Sequence, residues 1–333
     1  MPAEVQIESR GPASTASLES AAVPAELLPL LRSPLDGAML RQEPGALVAE
    51  GSGRRFSIAP GGIPLFAEAF CSAEGRVQQQ HYDAIAAKYV TNLGYPHTET
   101  YMAYLDRALL DAVGERALGT VAEICCGSGE AFKLLRPEIG IGLGVDLSLN
   151  MLQTGRRQSP AGNLHFIQGD ATRLPLADSA FDTVFMLGGI HHVGDRRSLF
   201  SEVHRILKPG GRFYFREPLN DFWLWRALRA VIYRLLPTLD HQTERPLRWA
   251  ETVPVLQAAG FECDLWHPVG FIGFCLFMNS DVLVVNRLFR FMPGIRSVVR
   301  ASCRLDEALL RLPFLKPAGL QVVGVAVKPG RAE

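Results

Sequence analysis

Apolar runs of strand length alternate with helix-like and loop segments through most of the chain after residue 119. The runs are "TVAEICC" from Thr120, "IGIGLGVDL" from Ile139, "NLHFIQGD" from Asn163, "FDTVFMLGG" from Phe181, "GRFYFREP" from Gly211 and "LQVVGVAVKP" from Leu320. Parallel strands that are buried on both sides have near-continuous apolar runs of this kind, with helices between them. The pattern predicts an α/β fold, in which helices cover both faces of a mainly parallel sheet.

The part of the chain before residue 76 has a different pattern. Residues 26–75 consist of short extended segments divided by turn formers at Pro34, Asp36-Gly37, 51–53 and 60–62, which predicts a small β-rich module. Residues 1–25 lack the basic start and apolar core of a secretory signal, so we expect a disordered lead-in there. From Arg76 the segment "RVQQQHYDAIAAKYV" is rich in helix formers, so the main domain is expected over 76–333.

Two segments of the main domain are predicted to be helical insertions, at about 218–250 and about 270–316. The first has an apolar helical face and a basic one. The residues are Leu224, Leu228, Val231 and Leu235 on the apolar face, and Arg226 and Arg229 on the basic face. An amphipathic helix of this kind can form a lid over an active site, the face of a homodimer or a contact with a membrane surface. The pattern alone leaves the three roles open.

Composition narrows the classes of partner and compartment. The 333 residues include 34 Lys plus Arg and 34 Asp plus Glu, so the chain lacks a positive field that gathers phosphate backbones, and we expect no nucleic-acid partner. Its six cysteines include no Cys-x-x-Cys pair and lie mostly in apolar stretches, which predicts a reducing, cytoplasmic compartment. The most apolar stretch, 270–285, is interrupted by Asn279 and Asp281, so no transmembrane segment is predicted.

The segment "VAEICCGSGE", residues 121–130, has the form of a turn from a first strand into a helix. A glycine-rich turn at this place lets a ligand approach backbone N–H groups. A dinucleotide fingerprint needs a third Gly or Ala, but Gly127-x-Gly129 is followed by Phe132 in that frame, which disfavours NAD. Cys125 and Cys126 have no clustered partners nearby in the sequence, so we interpret them as packing and turn residues and predict no metal site.

This turn and the stretches "GLGVDLSLNML", "IQGDATRLPLADSAFDTVFML" and "EVHRILKPGGRFYFREP" occur in the order found in class I S-adenosylmethionine-dependent methyltransferases. The chain resembles that family closely over residues 81–217 and more loosely over about 251–328. The resemblance implies a Rossmann-like sheet and S-adenosylmethionine as cofactor, with S-adenosylhomocysteine as product. In this family the segment after the fifth strand usually covers the active site, which favours a lid for the first insertion.

The resemblance also implies which residues bind the cofactor. Glu123, Gly127 and Gly129 are expected to hold its methionine part, with Cys125 in place of the family's first glycine. Asp146 lies at the end of the second strand, 17 positions after Gly129, where a carboxylate can accept the ribose hydroxyl protons; a turn or helix-start acid is the alternative. The remaining expected contacts are Asp170 and Ala171 at the adenine, and Leu147, Met151 and Leu187 in the same pocket. Tyr82 and Tyr89 lie on a helix that is expected to close over the pocket, with ordinary packing on the helix face as the alternative.

The candidate catalytic residues are titratable groups at strand ends and in the first insertion. His191 and His192 follow the fourth strand in "MLGGIHHVGD", where a histidine can take a proton from an oxygen or nitrogen nucleophile. His191 is the first choice as general base, and a loop-capping or stacking role is the alternative for either. Glu217, at the end of the fifth strand, and His241 are further candidates whose roles can equally be structural or substrate-positioning.

The N-terminal module resembles the zinc-ribbon-like domain that precedes some RNA guanine methyltransferases. Where those relatives carry paired cysteines, this chain has Ser33 and Asp36, so no thiolate zinc site is expected. The second insertion is rich in Phe, Met and Leu, which favours a hydrophobic or aromatic small-molecule acceptor, such as a secondary metabolite. An RNA methyltransferase and a cofactor-binding scaffold without catalysis are the alternatives.

Overall fold

The computed structural model describes residues 22–80, 94–159, 162–235, 245–278 and 284–330. They form an antiparallel sheet of four strands and a mixed sheet of seven. The small sheet comprises β1 (Leu40–Glu43), β2 (Ala46–Ala49), β3 (Arg55–Ala59) and β4 (Ile63–Pro64). The large sheet comprises β5 (Gly119–Ile124), β6 (Ile139–Asp146), β7 (Leu164–Gln168), β8 (Phe181–Leu187), β9 (Leu207–Pro218), β10 (Glu262–Val269) and β11 (Gln321–Val327). The predicted α/β sheet and the separate β-rich module are both confirmed.

The α-helices alternate with the strands of the large sheet, as the pattern predicts. In chain order they are α1 (73–80), α2 (Pro96–Val113), α3 (Glu130–Leu135), α4 (Leu149–Gln158), α5 (Arg196–Ile206), α6 (Trp223–Leu235), α7 (Trp249–Ala258), α8 (Ile272–Phe277) and α9 (Ile295–Leu310). Short 3₁₀ helices occupy Ala25–Leu30, Ile190–His192 and Val284–Phe291, among other places. Among the described helices, none is both long and apolar enough to cross a membrane.

The large sheet has the strand order β10-β11-β9-β8-β5-β6-β7. Strands β5 to β9 are parallel to one another, whereas β11 is antiparallel to both β9 and β10. The chain runs from β5 outward to β7 and then returns to the other side of β5 with β8. Ligands of open α/β sheets bind at such a reversal, outside the carboxyl ends of the strands. The topology therefore places the candidate site at the ends of β5 and β8.

Successive side chains of the central strands contribute to two different cores, because side chains alternate between the faces of a strand. In β8, Val184 and Met186 belong to one apolar cluster, and Phe185 and Leu187 belong to the other. The first cluster includes residues of α5 and α7, and the second includes residues of α2, α3, α4 and α9. Helices thus cover both faces of the sheet.

The N-terminal module packs on the edge of the large sheet and shares its core. Leu31, Leu47 and Phe56 belong to the same cluster as Leu143 and Ile167. A bridge from Leu65 to Gln168 joins the module to the end of β7. The module therefore supports the loop that follows β7, where the adenine contact is expected.

Hydrogen bonds fix both the start of the N-terminal module and its first turn. Val23 is buried, and its N–H donates to Oε1 of Gln42 at 2.9 Å, so Val23 packs with the module. The turn after Ser33 is closed by main-chain hydrogen bonds between Gly37 N and Ser33 O (2.9 Å) and between Ser33 N and Ala38 O (3.0 Å).

The described residues of both predicted insertions include helices, but the first insertion differs from the prediction of a lid. Helix α6 exposes Trp223, Leu224, Leu228 and Val231. In the second insertion, α8 and α9 pack against α2, and buried Asp306 accepts main-chain N–H groups from Phe271, Ile272 and Gly273 at 2.9 to 3.3 Å.

Candidate active site

The loops after β5, β6, β7 and β8 surround a cavity of about 610 Å³, and α1 covers it. A cavity of this size falls within the range of small-molecule and cofactor sites, roughly 300–1,000 Å³. The lining residues are Phe70, Ser72, Ala73, Glu74, Gly75, Gln78 and Gln79 around α1; Cys125, Cys126, Gly127 and Glu130 after β5; Asp146, Leu147, Ser148 and Met151 after β6; residues 169–173 after β7; and Leu187, Gly188, Gly189, His192, Val193, Asp195 and Ser198 after β8.

The turn after β5 brings its backbone to the cavity by adopting left-handed conformations. Cys125 and Gly127 both have φ of 52° and Gly129 has φ of 81°. A left-handed conformation costs a residue with a side chain about 1–2 kcal/mol, so Cys125 stores strain at the cavity wall. A Cβ on Gly129 would lie 3.3 Å from Phe132 and 3.4 Å from Phe166. Gly129 therefore lets α3 approach the sheet closely and does not itself line the cavity.

The two adjacent cysteines are not reactive in this setting. Burial raises the pKa of the Cys125 thiol and of the Cys126 thiol well above the usual range, so both are protonated at neutral pH. A Cβ on Gly144 would lie 2.8 Å from Sγ of Cys126, which shows how closely that thiol packs on β6. Within the described part of the chain, no three His, Cys, Asp or Glu side chains come together as metal ligands would.

Glu123 lies under the turn rather than in the cavity wall. Its side chain is buried, and it accepts N–H from Ala131 at 2.9 Å and from Phe132 at 3.3 Å. These N–H groups belong to the first turn of α3, which begins at Glu130, so they have no acceptor within the helix itself. Burial raises the pKa of Glu123 to about 8 despite the two hydrogen bonds. Glu123 thus joins the end of β5 to the start of α3.

Asp146 links the turn after β5 to the helix after β6. Its Oδ2 accepts N–H from Gly127 and its Oδ1 accepts N–H from Ser148, both at 2.8 Å. Ser148 is the N-cap of α4 and accepts N–H from Met151. Each carboxylate oxygen has more than one lone-pair site, so these two hydrogen bonds are compatible with the expected contact to the ribose hydroxyls, which remains a prediction. The lining residues Leu147 and Met151 flank it.

Asp170 joins the loop after β7 to the helix that covers the cavity. Its Oδ2 accepts the N–H and the hydroxyl of Ser72 at 2.8 and 2.7 Å. Its Oδ1 accepts the N–H and the hydroxyl of Thr172 at 2.8 and 2.6 Å. Ser72 directly precedes α1, so Asp170, which is expected to contact the adenine, also holds the N-terminus of the covering helix.

Two further hydrogen bonds fix α1 over the cavity. Oε2 of Glu74 accepts N–H from Gly194 at 3.0 Å, and Nε2 of Gln79 donates to the carbonyl of Leu147 at 3.1 Å. Helix α1 is therefore tied to the loops after β6, β7 and β8. Helix α6, which the sequence favoured as the lid, contributes no lining residue among those described.

The loop after β8 is organised around Glu217. This carboxylate is 0% exposed and accepts N–H from Gly189 at 2.7 Å and from Ile190 at 2.8 Å. Its Oε2 also lies 2.8 Å from Nδ1 of His191. The His191 and His192 rings are 3.8 Å apart between centroids. Of the two, only His192 lines the cavity.

The structure gathers most of the predicted cofactor-binding residues and one predicted catalytic residue at the cavity, but leaves several others out of the cavity wall. Those that line it are Cys125, Gly127, Asp146, Leu147, Met151, Asp170, Ala171, Leu187 and His192. Glu123, Gly129, His191 and Glu217 lie behind this wall and support it. Tyr82, Tyr89 and His241 lie outside the described residues, so their predicted roles remain predictions.

Several lining residues were not predicted from the sequence. Ser72 directly precedes α1, and Glu74 and Gln79 belong to it. The helix starts at residue 73, three positions before the predicted boundary. The Ser-x-Glu pattern of a helix start, at Ser72 and Glu74, was the available signal. Glu130 also lines the cavity; burial raises its pKa, and it lies 3.8 Å from Arg216.

The residues present fit a nucleoside-containing cofactor. Left-handed turn residues expose backbone at the end of β5, and a carboxylate stands at the end of the neighbouring strand. Apolar side chains of Leu147, Met151 and Leu187 complete the wall. The fold and this site define an α/β protein that binds its cofactor at the carboxyl ends of the central strands.

Comparison with known proteins identifies the family. Residues 122–215 match the model of a methyltransferase domain. The chain is 36% identical over 170 residues to the demethylmenaquinone methyltransferase of Renibacterium salmoninarum, covering 46% of this chain and 68% of that protein. It is 31% identical over 211 residues to the ubiquinone/menaquinone biosynthesis C-methyltransferase UbiE of Klebsiella pneumoniae, covering 56% of this chain and 79% of that one. The chain belongs to the class I S-adenosylmethionine-dependent methyltransferases, so it is an enzyme whose methyl donor is S-adenosylmethionine.

Two solved structures share the fold at lower identity. The [4+2]-cyclase SpnF has a TM-score of 0.55 at 18% identity, over 77% of this chain and 96% of that one. The complex of the Haloferax volcanii Trm112 methyltransferase activator with a protein described as a methyltransferase has a TM-score of 0.52 at 23% identity, over 77% of this chain and 99% of that one. These similarities concern the fold, and the acceptor has to be inferred from the site.

Proposed function

We propose that this methyltransferase acts on a small hydrophobic aromatic acceptor of the hydroquinone or phenol type. The main support is the position of His192, which lines the cavity. Its ring lies against that of His191, which is hydrogen-bonded to Glu217 behind the cavity wall. The curated relatives named above are quinone methyltransferases, which supports the same class of acceptor. The Phe-, Met- and Leu-rich second insertion does not supply this support, because among the described residues none of its members lines the cavity.

The acceptor would lie at the end of the cavity formed after β8. Leu187 ends that strand and Val193 directly follows His192, and both line the cavity with Phe70. Apolar side chains therefore line the same cavity as the imidazole of His192. An aromatic ring can pack on the apolar groups while its hydroxyl faces the histidine.

The reaction is a displacement at the cofactor's electrophilic methyl group, which the cofactor supplies when bound. Bound S-adenosylmethionine would supply this methyl group, which would pass from the cofactor's sulfur to the acceptor. The role of the chain is to hold the two reactants in line, which can contribute roughly 7–11 kcal/mol. His192 would accept the proton of the acceptor hydroxyl, which increases electron density on the acceptor oxygen and ring.

The remaining residues would fix the two reactants and the base. Asp146 would hold the ribose hydroxyls, and the turn at Cys125 and Gly127 would approach the methionine part. Asp170 and Ala171 would lie at the adenine. Glu217 would keep His191 in one tautomer, and His191 would in turn support the ring of His192.

The proposal is tested by supplying purified protein and S-adenosylmethionine with reduced naphthoquinones, simple phenols, the oxidised quinones and polar amines. S-adenosylhomocysteine and methylated products are measured by liquid chromatography with mass spectrometry. We expect turnover with the hydroxyl-bearing aromatic compounds and much less with their oxidised forms, which have no proton to give. Methylation of polar amines only would refute the acceptor class, whereas fragmentation of a product would show whether carbon or oxygen is methylated.

A further inference from the structure

Exposed apolar side chains are concentrated in one part of the described chain. Of the large apolar residues exposed there, all but Met39 and Val77 lie after Phe222. Several occur in α9 and its flanks: Phe291 is 70% exposed, Val298 48%, Leu305 49% and Phe314 73%. Soluble proteins rarely expose contiguous apolar patches without a binding partner. These residues take no part in the cavity.

Helix α9 has a second apolar face besides the one that packs on the domain. Its buried residues are Ile295, Val299, Cys303 and Asp306. Val298 and Leu305 are exposed and spaced seven residues apart, which is two helical turns, so they line up along a different side of the helix. Domain packing therefore does not explain the outer stripe.

Positive charge surrounds this stripe. Residues 284–316 contain seven Lys or Arg and two Asp or Glu, whereas the whole chain has 34 of each class. One of the two acids, Asp306, is buried. Arg300, Arg304 and Arg311 form a neighbouring row on the exposed side of the helix, and none of them pairs with an acid among the described residues.

Helix α6 repeats the same combination. Leu224, Leu228 and Val231 are about half exposed on one of its faces, and the helix carries three arginines and no acid. Phe222, just before α6, packs edge-on against Phe271, just before α8, with ring centroids 5.9 Å apart. The starts of the two insertions are therefore adjacent, and α8 packs on α9.

We propose that the exposed face of α9, with α6 as a second element, is a docking surface for an anionic phospholipid bilayer. Interfacial helices combine Phe, Leu and Trp on one face with Arg or Lys on the other, and they bind through apolar burial together with attraction to anionic lipids. Self-association explains the surface less well. A two-fold contact through α9 would bring Arg300, Arg304 and Arg311 near their own copies, with like-charge repulsion.

The test is co-sedimentation of the full chain with vesicles of phosphatidylcholine alone or mixed with phosphatidylglycerol, without any methylation readout. We expect the wild type to bind the anionic vesicles preferentially and to be released by high salt. The variant Arg300→Gln/Arg304→Gln/Arg311→Gln should lose about fivefold in binding per charge, on the order of hundredfold in all. The variant Val298→Ser/Leu305→Ser/Phe314→Ser should lose on the order of tenfold or more.

A matched control removes the same charge elsewhere. Arg54→Gln/Arg116→Gln/Arg157→Gln changes exposed arginines far along the chain from α9 and should bind the anionic vesicles as the wild type does. All substituted side chains are exposed, so the thermal unfolding midpoint should stay constant across the series. If the control variant loses as much vesicle binding as the α9 arginine variant, the binding depends only on the overall charge of the protein, and the proposal is overturned.

Two other outcomes would also overturn it. One is a folded wild type that does not bind anionic vesicles at low salt, or that binds both kinds equally. The other is concentration-dependent self-association in sedimentation velocity runs without lipid, abolished by the serine variant, which would assign the face to contacts between copies. The acceptor proposal is independent of these results, because partitioning is measured without substrate.

Discussion

The Nδ1 atom of His191 lies 2.8 Å from Oε2 of Glu217, and this carboxylate also accepts the main-chain N–H groups of Gly189 and Ile190. A carboxylate only accepts, so Nδ1 of neutral His191 carries the proton and Nε2 is left as the acceptor nitrogen. The same group thus fixes the path of the loop after β8 and the tautomer of its first histidine. The ring of His192 is held directly against that of His191.

We expect His192→Ala to lower kcat by about 10²- to 10⁴-fold, the usual contribution of a positioned general base. Affinity for S-adenosylhomocysteine, measured by calorimetric titration, should change little, because the loss concerns the acceptor's proton. His191→Ala is the matched variant and should have a smaller effect on kcat. If kcat falls further in His191→Ala than in His192→Ala, the general base is His191, which was the first choice from the sequence.

Glu217→Ala should destabilise the protein substantially. It leaves the buried N–H groups of Gly189 and Ile190 without their acceptor, at about 1–3 kcal/mol for each unsatisfied group. We therefore expect a loss of at least about 2 kcal/mol in the free energy of unfolding, measured by urea denaturation. Glu217→Gln keeps one carbonyl acceptor and should recover part of this loss. Equal stability of the wild type and the alanine variant would contradict the structural role of Glu217.

Asp146→Ala should weaken binding of S-adenosylhomocysteine by at least about tenfold, since hydrogen bonds to charged groups contribute about 1.5–3 kcal/mol each. It also removes the acceptor for Gly127 N–H, so the turn after β5 loses an anchor. Asp111→Ala, at an exposed site on α2, is the charge-matched control and should bind normally. Unchanged affinity in the Asp146 variant, by calorimetry, would remove Asp146 from the cofactor site.

Ser72→Ala should loosen α1 from the cavity, because it removes the hydroxyl that Asp170 accepts at 2.7 Å. We expect faster amide hydrogen exchange over residues 73–80 without a change in the exchange of the central strands. Bound S-adenosylhomocysteine should slow exchange in α1 of the wild type. If the helix exchanges equally in both proteins, Ser72 and Asp170 do not hold it closed.

Local pattern was enough to predict the sheet, the glycine turn and the acids at strand ends, because each is encoded within a few consecutive residues. The contacts that organise the cavity were not accessible in this way. Ser72 and Asp170 are 98 positions apart, and His191 and Glu217 are 26 apart. Which residues pair across such distances depends on the packing of whole elements. The sequence therefore indicated a covering helix after residue 76 and a lid at α6, but not the hydrogen bonds that hold α1 over the cavity.

Glu123 shows how strand alternation decides the role of a residue. In β5, Glu123 is two positions after Val121, whose side chain lies in the core cluster shared with α3. Side chains two apart point to the same face, so the carboxyl of Glu123 is directed to the start of α3. The sequence shows an acid before a glycine turn, and the resemblance implied a contact with the cofactor. That contact remains a prediction, and the structure adds a role in supporting the turn.

The burial of Glu123 predicts a specific dependence of stability on pH. Its pKa rises from 4.5 to about 8 on folding, so the folded state binds the proton more tightly than the unfolded state does. The stability associated with this proton is therefore fully present below about pH 4.5 and is lost as the pH rises through about 8. Within that window the loss should approach about 1.4 kcal/mol for each pH unit.

Glu123→Gln cannot ionise, and its carbonyl can still accept the N–H of Ala131. The difference in unfolding free energy between this variant and the wild type, measured by urea denaturation across the window, should shift in favour of the variant as the pH rises. Other titrating groups are common to both proteins and cancel in the difference. A difference that stays constant with pH would show that Glu123 ionises normally in the folded protein, and that its hydrogen bonds to α3 outweigh the cost of burial.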